Sequence, residues 1–470
     1  MSAGSPTPRA EVRPALSELS GRRVTVMGLG LFGGGASVAR FLARRGAEVT
    51  VTDLRGESEL EPALRELAGL PLRFVLGRHA ESDFARAELV VANPAVPPRS
   101  RFLQLARESG VPIASEIEFF LELCPARVVA VTGTQGKSST CNTLHQLLLA
   151  AGFRAHLGGN IGHSLLEEAD ALGAQELVVL ELSSYQLEAL PTRGTWRGPA
   201  ARVEAVAVTN VLADHLERHG TIEDYAAAKQ RILELIEPCE GLALLPAECP
   251  RLSGWRPARG RRVDLWASRA SPSGLCFSEG EFRLDGEVLG RMADLHLPGK
   301  FQLENTLAAL GLARLLGAPA EALARALPAL EALPHRMQDL GVFRGHRVID
   351  NGVSTTPDST LSAVLSMQPG FTLLLGGKPK NLPLFELAAA LQGRARRVGV
   401  FGAAVESFPG PLRAAGLECF EARGVEELLE QAFERMAPGE ELLFSPACAS
   451  FDGYLNFRER ALAFRAALPS

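Results

Sequence analysis

The stretch Val128-Val129-Ala130-Val131-Thr132-Gly133-Thr134-Gln135-Gly136-Lys137-Ser138-Ser139-Thr140 decides the reading of this 470-residue chain. An apolar, β-branched run enters a turn bearing two glycines, and Lys-Ser then opens a helix. Backbone N–H groups in such a turn cradle phosphates. Lys137 can reach the β- and γ-phosphates, and Ser138 can hold Mg²⁺. Val131 stands where the full Walker pattern has its first glycine, so only the second half of that pattern is present. A nucleoside triphosphate site at the end of an α/β strand is the expectation.

Upstream, Arg22 to Met27 reads as a strand running into Gly28-Leu29-Gly30-Leu31-Phe32-Gly33. A helical stretch to Arg45 follows, then a strand from Glu48 to Thr52 that ends at Asp53. This G-x-G-x-x-G unit suits a dinucleotide, another nucleotide diphosphate, or simply a tight turn. Strands are expected at Leu72 to Leu76 and Leu89 to Ala92, the latter closed by the turn Asn93-Pro94-Ala95-Val96-Pro97-Pro98. Ile113 to Cys124 reads as a connecting segment. Downstream, strands are expected near 128–132, 177–181 and 205–209, short strands and turns over 241–297, and a helix over Gly299 to Leu316. After Leu333-Pro334, further strands fall near 347–350, 371–375 and 397–401. The expectation is three α/β domains, 1–116, 117–332 and 333–470: Rossmann-like, P-loop ATPase-type and again Rossmann-like.

Composition removes several function classes. Acidic residues number 54 and basic ones 49, for a net charge of −5. That gives no electrostatic footprint for nucleic acid or an anionic membrane. No apolar run approaches the roughly 18 residues of a membrane span. Met1 to Glu18 is polar with no signal-peptide core, so the expected compartment is the cytoplasm. Seven scattered cysteines show no zinc or disulfide spacing and are expected to be reduced. Of the basic residues only Lys137, Lys229, Lys300, Lys378 and Lys380 are lysine. A chain so rich in arginine keeps lysine where an ammonium or amine is needed, because the two are not interchangeable.

Two more segments put chemistry at strand ends. Glu181-Leu182-Ser183-Ser184-Tyr185-Gln186-Leu187-Glu188 and Thr209-Asn210-Val211-Leu212-Ala213-Asp214-His215 each follow an apolar run. Ligands of open α/β sheets gather at the carboxyl ends of strands, so Glu181 and His215 can converge on the Lys137 loop. The competing reading makes His215 a satisfied structural histidine. Lys229 lies among alanines on a helix, and Lys378 and Lys380 follow the strand end Leu375-Gly376-Gly377.

Taken together, these motifs resemble the Mur ligase family, closest to its glutamate-adding branch, over about residues 22 to 465. The residues that carry it are Gly133 to Ser138, Gly159-Asn160-Ile161-Gly162, Glu181 to Glu188, Asp214-His215 and Ala227-Ala228-Lys229. Asn305, His335-Arg336, Leu375-Gly376-Gly377 and Ser445-Pro446-Ala447-Cys448-Ala449-Ser450-Phe451-Asp452 complete the set. The resemblance implies an ATP-dependent ligase that joins D-glutamate to UDP-N-acetylmuramoyl-L-alanine through an acyl phosphate. ATP would lie on Gly133, Thr134, Gln135, Gly136, Lys137, Ser138 and Ser139, with Asn305 and Arg336. The muropeptide would use Gly30, Leu31, Phe32, Asp53, Arg55 and Asn93 at its UDP end, and Asn160, Ser183 and His215 at its carboxylate. Thr355, Lys380, Ser450 and Phe457 would surround glutamate. Ser138, Glu181, His215 and a carbamylated Lys229 would order two Mg²⁺ ions, with Mn²⁺ as a substitute. Lys137, His215 and Lys229 would be catalytic, and a monomer is implied.

The chain departs from the family's pattern at Asn351-Gly352-Val353-Ser354-Thr355-Thr356-Pro357, where an Asp-Ser-Lys run is usual. Gln135 replaces an Asn and Gln302 a His. The Ser-Thr-Thr-Pro run resembles a branch that adds L-glutamate, so the same ligation with L-glutamate stands as the alternative. A nicotinamide-dependent oxidoreductase, built on the Gly28 loop alone, leaves the Lys137 loop unexplained.

Overall fold

A computed structural model of the chain describes residues 15–30, 34–161, 164–191, 201–297, 302–380 and 382–469. They form three sheets. The backbone gathers into two compact units, Met1–Met292 with Asn305–Ala326, and Ala293–Glu304 with Leu327–Ser470.

The first unit holds two sheets. One contains β1 (Arg23–Met27), β2 (Glu48–Asp53), β3 (Leu72–Leu76), β4 (Leu89–Ala92) and β5 (Ile113–Ala114) in the order β3-β2-β1-β4-β5, all parallel. The other is built on β6 (Arg127–Thr132), β7 (Ala155–Gly159), β8 (Leu177–Glu181), β9 (Arg202–Val208), β10 (Leu242–Pro246) and β11 (Arg261–Trp266). It continues through β12 (Leu275–Ser278), β13 (Glu281–Leu284) and β14 (Glu287–Arg291), in the order β14-β13-β12-β11-β10-β9-β6-β8-β7. Pairing is parallel from β7 to β12 and antiparallel beyond. β8 is buried at every residue, because helices cover both faces of a parallel sheet, and it therefore reads as one apolar run ending in Glu181.

The second unit holds β15 (Gln338–Phe343), β16 (His346–Asp350), β17 (Phe371–Gly376), β18 (Ala395–Phe401), β19 (Glu418–Ala422) and β20 (Leu442–Ala447), ordered β15-β16-β20-β17-β18-β19. The C-terminal helix Phe457–Ala466 packs on it, with the Phe464 and Phe444 rings stacked 4.0 Å apart.

In each sheet the chain reverses direction beside a central strand: β1, β6, and β20 between β16 and β17. Ligands of open α/β sheets bind at the carboxyl ends of strands at such a switch point. The loops after those strands and after their immediate neighbours β4, β8, β9, β16 and β17 carry the sequence-derived candidates.

The segment Ile113 to Cys124, expected to be a simple connector, is instead strand β5 followed by the helix Glu116–Leu123. Ser115 caps it by accepting from the Glu118 N–H at 3.4 Å, and acidic residues fill its first turn. Ile117, Phe119, Phe120 and Leu121 are all buried, so the helix lacks the one-sided apolar stripe that announces an amphipathic helix. β7 was not anticipated either, since Ala-His-Leu-Gly-Gly carries little β-propensity and its pairing with β8 supplies the strand.

Candidate active site

The loop after β6 is built as its glycines require. Gly136 has φ +82° and Gly133 φ +149°. A Cβ on Gly133 would collide with the Thr209 hydroxyl, and one on Gly136 with Asn305 Oδ1. The Thr140 hydroxyl also approaches Asn305 Oδ1, at 3.4 Å, which places Asn305 against this loop. Thr134 N donates to the Asn210 carbonyl at 3.0 Å, and Gln135 N to Asn210 Oδ1 at 2.9 Å. Lys137 opens the helix Lys137–Ala150, its ammonium 2.8 Å from the Thr134 carbonyl, and Ser138 is buried beside it. Cations and N–H groups at a helix start form an anion site.

Glu181 ends β8 next to this loop and is buried. Its Oε1 accepts from Asn160 Nδ2 at 2.8 Å, and Asn160 N donates to the Glu181 carbonyl at 2.9 Å. Oε2 is buried with no hydrogen-bond partner. Leaving a buried acceptor unsatisfied costs roughly 1–3 kcal/mol and more for a charged one, which a bound cation offsets. Among the described residues no three His, Cys, Asp or Glu side chains form a metal cage. Mg²⁺ is commonly bound through one or two carboxylates, with water and phosphate oxygens completing its shell. Glu181 and Ser138 fit such an ion.

Lys229 is buried under the same loop, donating to the Gly133 carbonyl at 2.7 Å, with Nζ 4.6 Å from the Tyr225 ring. Burial, reinforced by the charge of Lys137, pushes its pKa down to about 7. A pKa lowered in this way favours the neutral, nucleophilic amine over the ammonium. His215 is half exposed, in the left-handed region at φ +51°. Its Nδ1 lies 3.2 Å from the Tyr185 hydroxyl, and its backbone N donates to Asp214 Oδ1 at 2.9 Å. Positive φ at a non-glycine residue marks a conformation imposed by its surroundings. Ser183 caps the helix Ser184–Ala189, its hydroxyl engaged with Gln186.

On the first sheet, Gly28 and Gly30 pack on Asn93: a Cβ on Gly28 would lie 2.9 Å from Asn93 Cβ, and one on Gly30 3.2 Å from Nδ2. Asp53 is buried and spent on the loop itself. Its Oδ2 accepts from Leu29 N at 2.9 Å and Gly30 N at 3.3 Å, and its Oδ1 from Arg55 N at 2.9 Å. Gly30, Asp53, Arg55 and Asn93 are thus brought together, with Asp53 organising the turn. The close helix–loop contact falls at Gly35, where a Cβ would strike the Leu29 carbonyl. Leu31, Phe32, Gly33, Gly162 and Lys300 lie outside the described residues.

In the second unit, Lys380 Nζ donates to the Thr355 hydroxyl at 3.3 Å, and Ser450 is buried on the loop after β20. Phe457 opens the C-terminal helix, which Asn456 caps. Arg336 lies between His335 (φ +63°) and Met337 (φ +48°), two left-handed non-glycine residues. His335 Nδ1 lies 2.7 Å from Asp350 Oδ2, which also accepts from Arg465 Nε at 2.9 Å. This buried anchor holds the backbone beside Arg336.

Sequence reasoning gave no role to Thr209, Asn210, Tyr225 and Arg218. Asn210 props the phosphate loop, the Tyr225 hydroxyl donates to Thr134 Oγ1 at 3.1 Å, and Arg218 links Glu188 (2.8 Å) to the Val96 carbonyl (3.2 Å). Each acts through a contact at least 30 positions away in sequence, which spacing cannot display. The one available signal was that Thr209-Asn210 stands at a strand end.

Residues 22–115 match the model of the MurD-like N-terminal domain of Mur ligases, and residues 131–313 match the Mur ligase middle domain. A UDP-N-acetylmuramoylalanine--D-glutamate ligase of Roseiflexus sp. (strain RS-1) is 37% identical over 465 residues, covering 95% of this chain and 98% of that one. Its counterpart from Geobacter metallireducens is also 37% identical, covering 96% and 98%. Among solved structures, the Thermotoga maritima UDP-N-acetylmuramate-alanine ligase MurC aligns with a TM-score of 0.60 at 21% identity, covering 95% of this chain and 98% of that one. The MurF ligase of the same organism, in complex with ADP, gives 0.57 at 19%, covering 97% and 98%. At those identities the structures speak to fold alone, whereas the sequence relatives run at 37% along nearly the whole length; the chain belongs to the Mur ligase family.

Proposed function

We propose that this chain joins the alanyl carboxylate of UDP-N-acetylmuramoyl-L-alanine to the amine of D-glutamate at the expense of ATP. It is an ATP-dependent amide ligase of peptidoglycan precursor synthesis. The observation that carries the reading is the 37% identity, over 95% of the chain, to a protein bearing that ligase's name.

The chemistry follows from the groups described. The N–H groups of the Gly133 loop and the Lys137 ammonium hold the terminal phosphates while the alanyl carboxylate attacks the γ-phosphorus, giving an acyl phosphate and ADP. The glutamate amine then attacks the acyl carbon, and the tetrahedral intermediate expels phosphate to leave the amide. Such steps rely on positioning and charge neutralisation more than on covalent help from the protein. Ser138, Glu181 and His215 are the residues that would hold Mg²⁺, or Mn²⁺ in its place, whose chemistry is to neutralise the phosphate oxygens; two ions are proposed. Lys229 is the residue proposed for carbamylation: its neutral amine adds to CO₂ and releases one proton, turning a buried cation site into an anion.

Segment 1–116 would take the UDP end through Gly30, Leu31, Phe32, Asp53, Arg55 and Asn93. Segment 117–332 would take ATP and, through Asn160, Ser183 and His215, the alanyl carboxylate. Segment 333–470 would take glutamate through Thr355, Lys380, Ser450 and Phe457, and would supply Arg336 toward ATP. No helix among the described residues is long and apolar enough to cross a membrane, and a cytoplasmic monomer is proposed.

The test is phosphate release from ATP with Mg²⁺ and UDP-N-acetylmuramoyl-L-alanine, run in parallel with D- and L-glutamate. Release that depends on D-glutamate, with a product heavier by one glutamyl residue, is expected. Release with L-glutamate alone would transfer the assignment to the other enantiomer. No release with either would overturn it.

A further inference from the structure

Arg460 is fully buried on the C-terminal helix, one turn from its start. Its guanidinium donates to five backbone carbonyls. Nη1 reaches Gly376 at 3.2 Å, Cys448 at 2.8 Å and Ala449 at 3.3 Å, and Nη2 reaches Gly352 at 3.3 Å and Ser354 at 3.2 Å. These carbonyls lie where the chain leaves β16, β17 and β20 for the three loops that follow. The same loops carry Thr355, Lys380 and Ser450.

The surroundings are built around this one side chain. A Cβ on Gly377 would collide with the Ala449 carbonyl and lie 2.7 Å from Arg460 Nη1, so only glycine leaves room. Lys378 N donates to the Ala449 carbonyl at 2.8 Å and Ala449 N returns a bond to Lys378 at 3.0 Å, zipping two of the loops together. Ala447, just before the Arg460-bound carbonyls, is held at φ +61°, a conformation that persists only when its neighbours over-determine it.

Burying a guanidinium against neutral carbonyls is a poor route to stability. The desolvation is large, and apolar replacements of buried charges are often neutral or stabilising. Burial lowers the Arg460 pKa to about 10, so the group remains charged at neutral pH. What a guanidinium offers that an apolar side chain cannot is a rigid, planar fork: its two terminal nitrogens reach all five carbonyls, while Nε is buried without a partner.

We propose that Arg460 is the positioning residue of the amino-acid half-site: it fixes the mutual placement of the loops bearing Thr355, Lys380 and Ser450, so that the incoming amino acid meets them preset. The proposal rests on reading this chain as a glutamate ligase. Lysine at this position keeps the charge and stem but has a single nitrogen, which cannot span three loops. Loss of such charge-assisted bonds corresponds to roughly a tenfold effect or more.

The experiment compares the full-length wild-type chain with Arg460→Lys, Gly377→Ala and a core control, Phe464→Leu. For each, kcat, the KM for D-glutamate, the KM for ATP and the melting temperature are measured. Wild-type turnover with glutamate decides the underlying reading by itself. Given that turnover, Arg460→Lys should fold, raise the KM for glutamate by about tenfold or more, and leave the KM for ATP within about twofold. Gly377→Ala should show the same selectivity. Phe464→Leu should melt earlier with its glutamate KM unchanged. Three results would overturn the proposal: a folded Arg460→Lys with wild-type glutamate KM, an equal rise in the ATP KM, or an Arg460→Lys chain that does not fold. The last would make the guanidinium a pillar of the unit and not of the site.

Discussion

At Glu181, a buried carboxylate uses one oxygen on Asn160 and leaves the other without a partner. A side chain kept for stability would not be left so. Glu181→Gln keeps the shape and puts a neutral amide in place of the carboxylate whose Oε2 has no hydrogen-bond partner. Its expected outcome is a loss of turnover of about a hundredfold or more, the scale of removing a group aimed at developing charge. In metal-free buffer the melting temperature should match or exceed that of the wild type. Calorimetry beside a phosphate-release assay checks both, and a variant that loses stability and activity together would make Glu181 a structural residue. Gly136 argues from the opposite side. An alanine there meets Asn305 Oδ1 and must take φ +82°, so Gly136→Ala should fold yet bind ATP about tenfold or more weakly. Titration with ATP reads this, and unchanged affinity would contradict the role given to the loop.

At the level of elements, the Ser115-capped helix Glu116–Leu123 shows what a packed structure adds to a sequence. Glu116 accepts from the Ser164 hydroxyl, which in turn lies 3.1 Å from Ser37, so one carboxyl ties three distant segments. Burial raises its pKa above the ordinary 4.5. The folded chain therefore keeps this proton at a pH where the unfolded chain has released it. Stability falls as pH rises from 4.5 through the raised value, and above that the penalty is full. Glu116→Gln removes the penalty, so its melting temperature should gain on wild type at pH 8 and match it near pH 4. Melting curves across that range check the sign; a constant difference would mean the carboxyl is not perturbed.

The same helix marks the limit of what was legible. Strands and glycine turns near β1, β6 and β17 could be read, because apolar runs ending in Gly-rich turns advertise a parallel sheet with ligands at its carboxyl end. A helix buried all round and the glycine-rich edge strand β7 carry no period of their own. Their structure comes from neighbours far away in the chain. The site divides in the same way. Lys137, Glu181 and Lys229 announce themselves by chemistry, the last through a scarcity of lysine. Asn210, Tyr225 and Arg460 act only through contacts across the sheet, and no local pattern reveals them.

For the whole molecule, the recurrence of one device is the main point. Three sheets each place neighbouring loops at a reversal of strand order, and each set of loops carries groups suited to one part of a three-substrate ligation. The phosphate loop and Glu181 suit the nucleotide, Asn93 and the Gly30 turn suit a nucleotide diphosphate sugar, and Lys380 with Thr355 suits a carboxylate. Binding nucleotide alone would not require Arg460 to be bonded to a separate set of loops bearing Thr355 and Lys380.

The claim on which everything rests is that the carboxylate of one substrate is phosphorylated before the amine attacks. The direct measurement uses UDP-N-acetylmuramoyl-L-alanine labelled with ¹⁸O in both carboxylate oxygens, ATP, Mg²⁺ and D-glutamate, with mass analysis of the released phosphate and the amide. Transfer through an acyl phosphate predicts one labelled oxygen in the phosphate and one retained in the amide. Amide formation with wholly unlabelled phosphate would contradict the account.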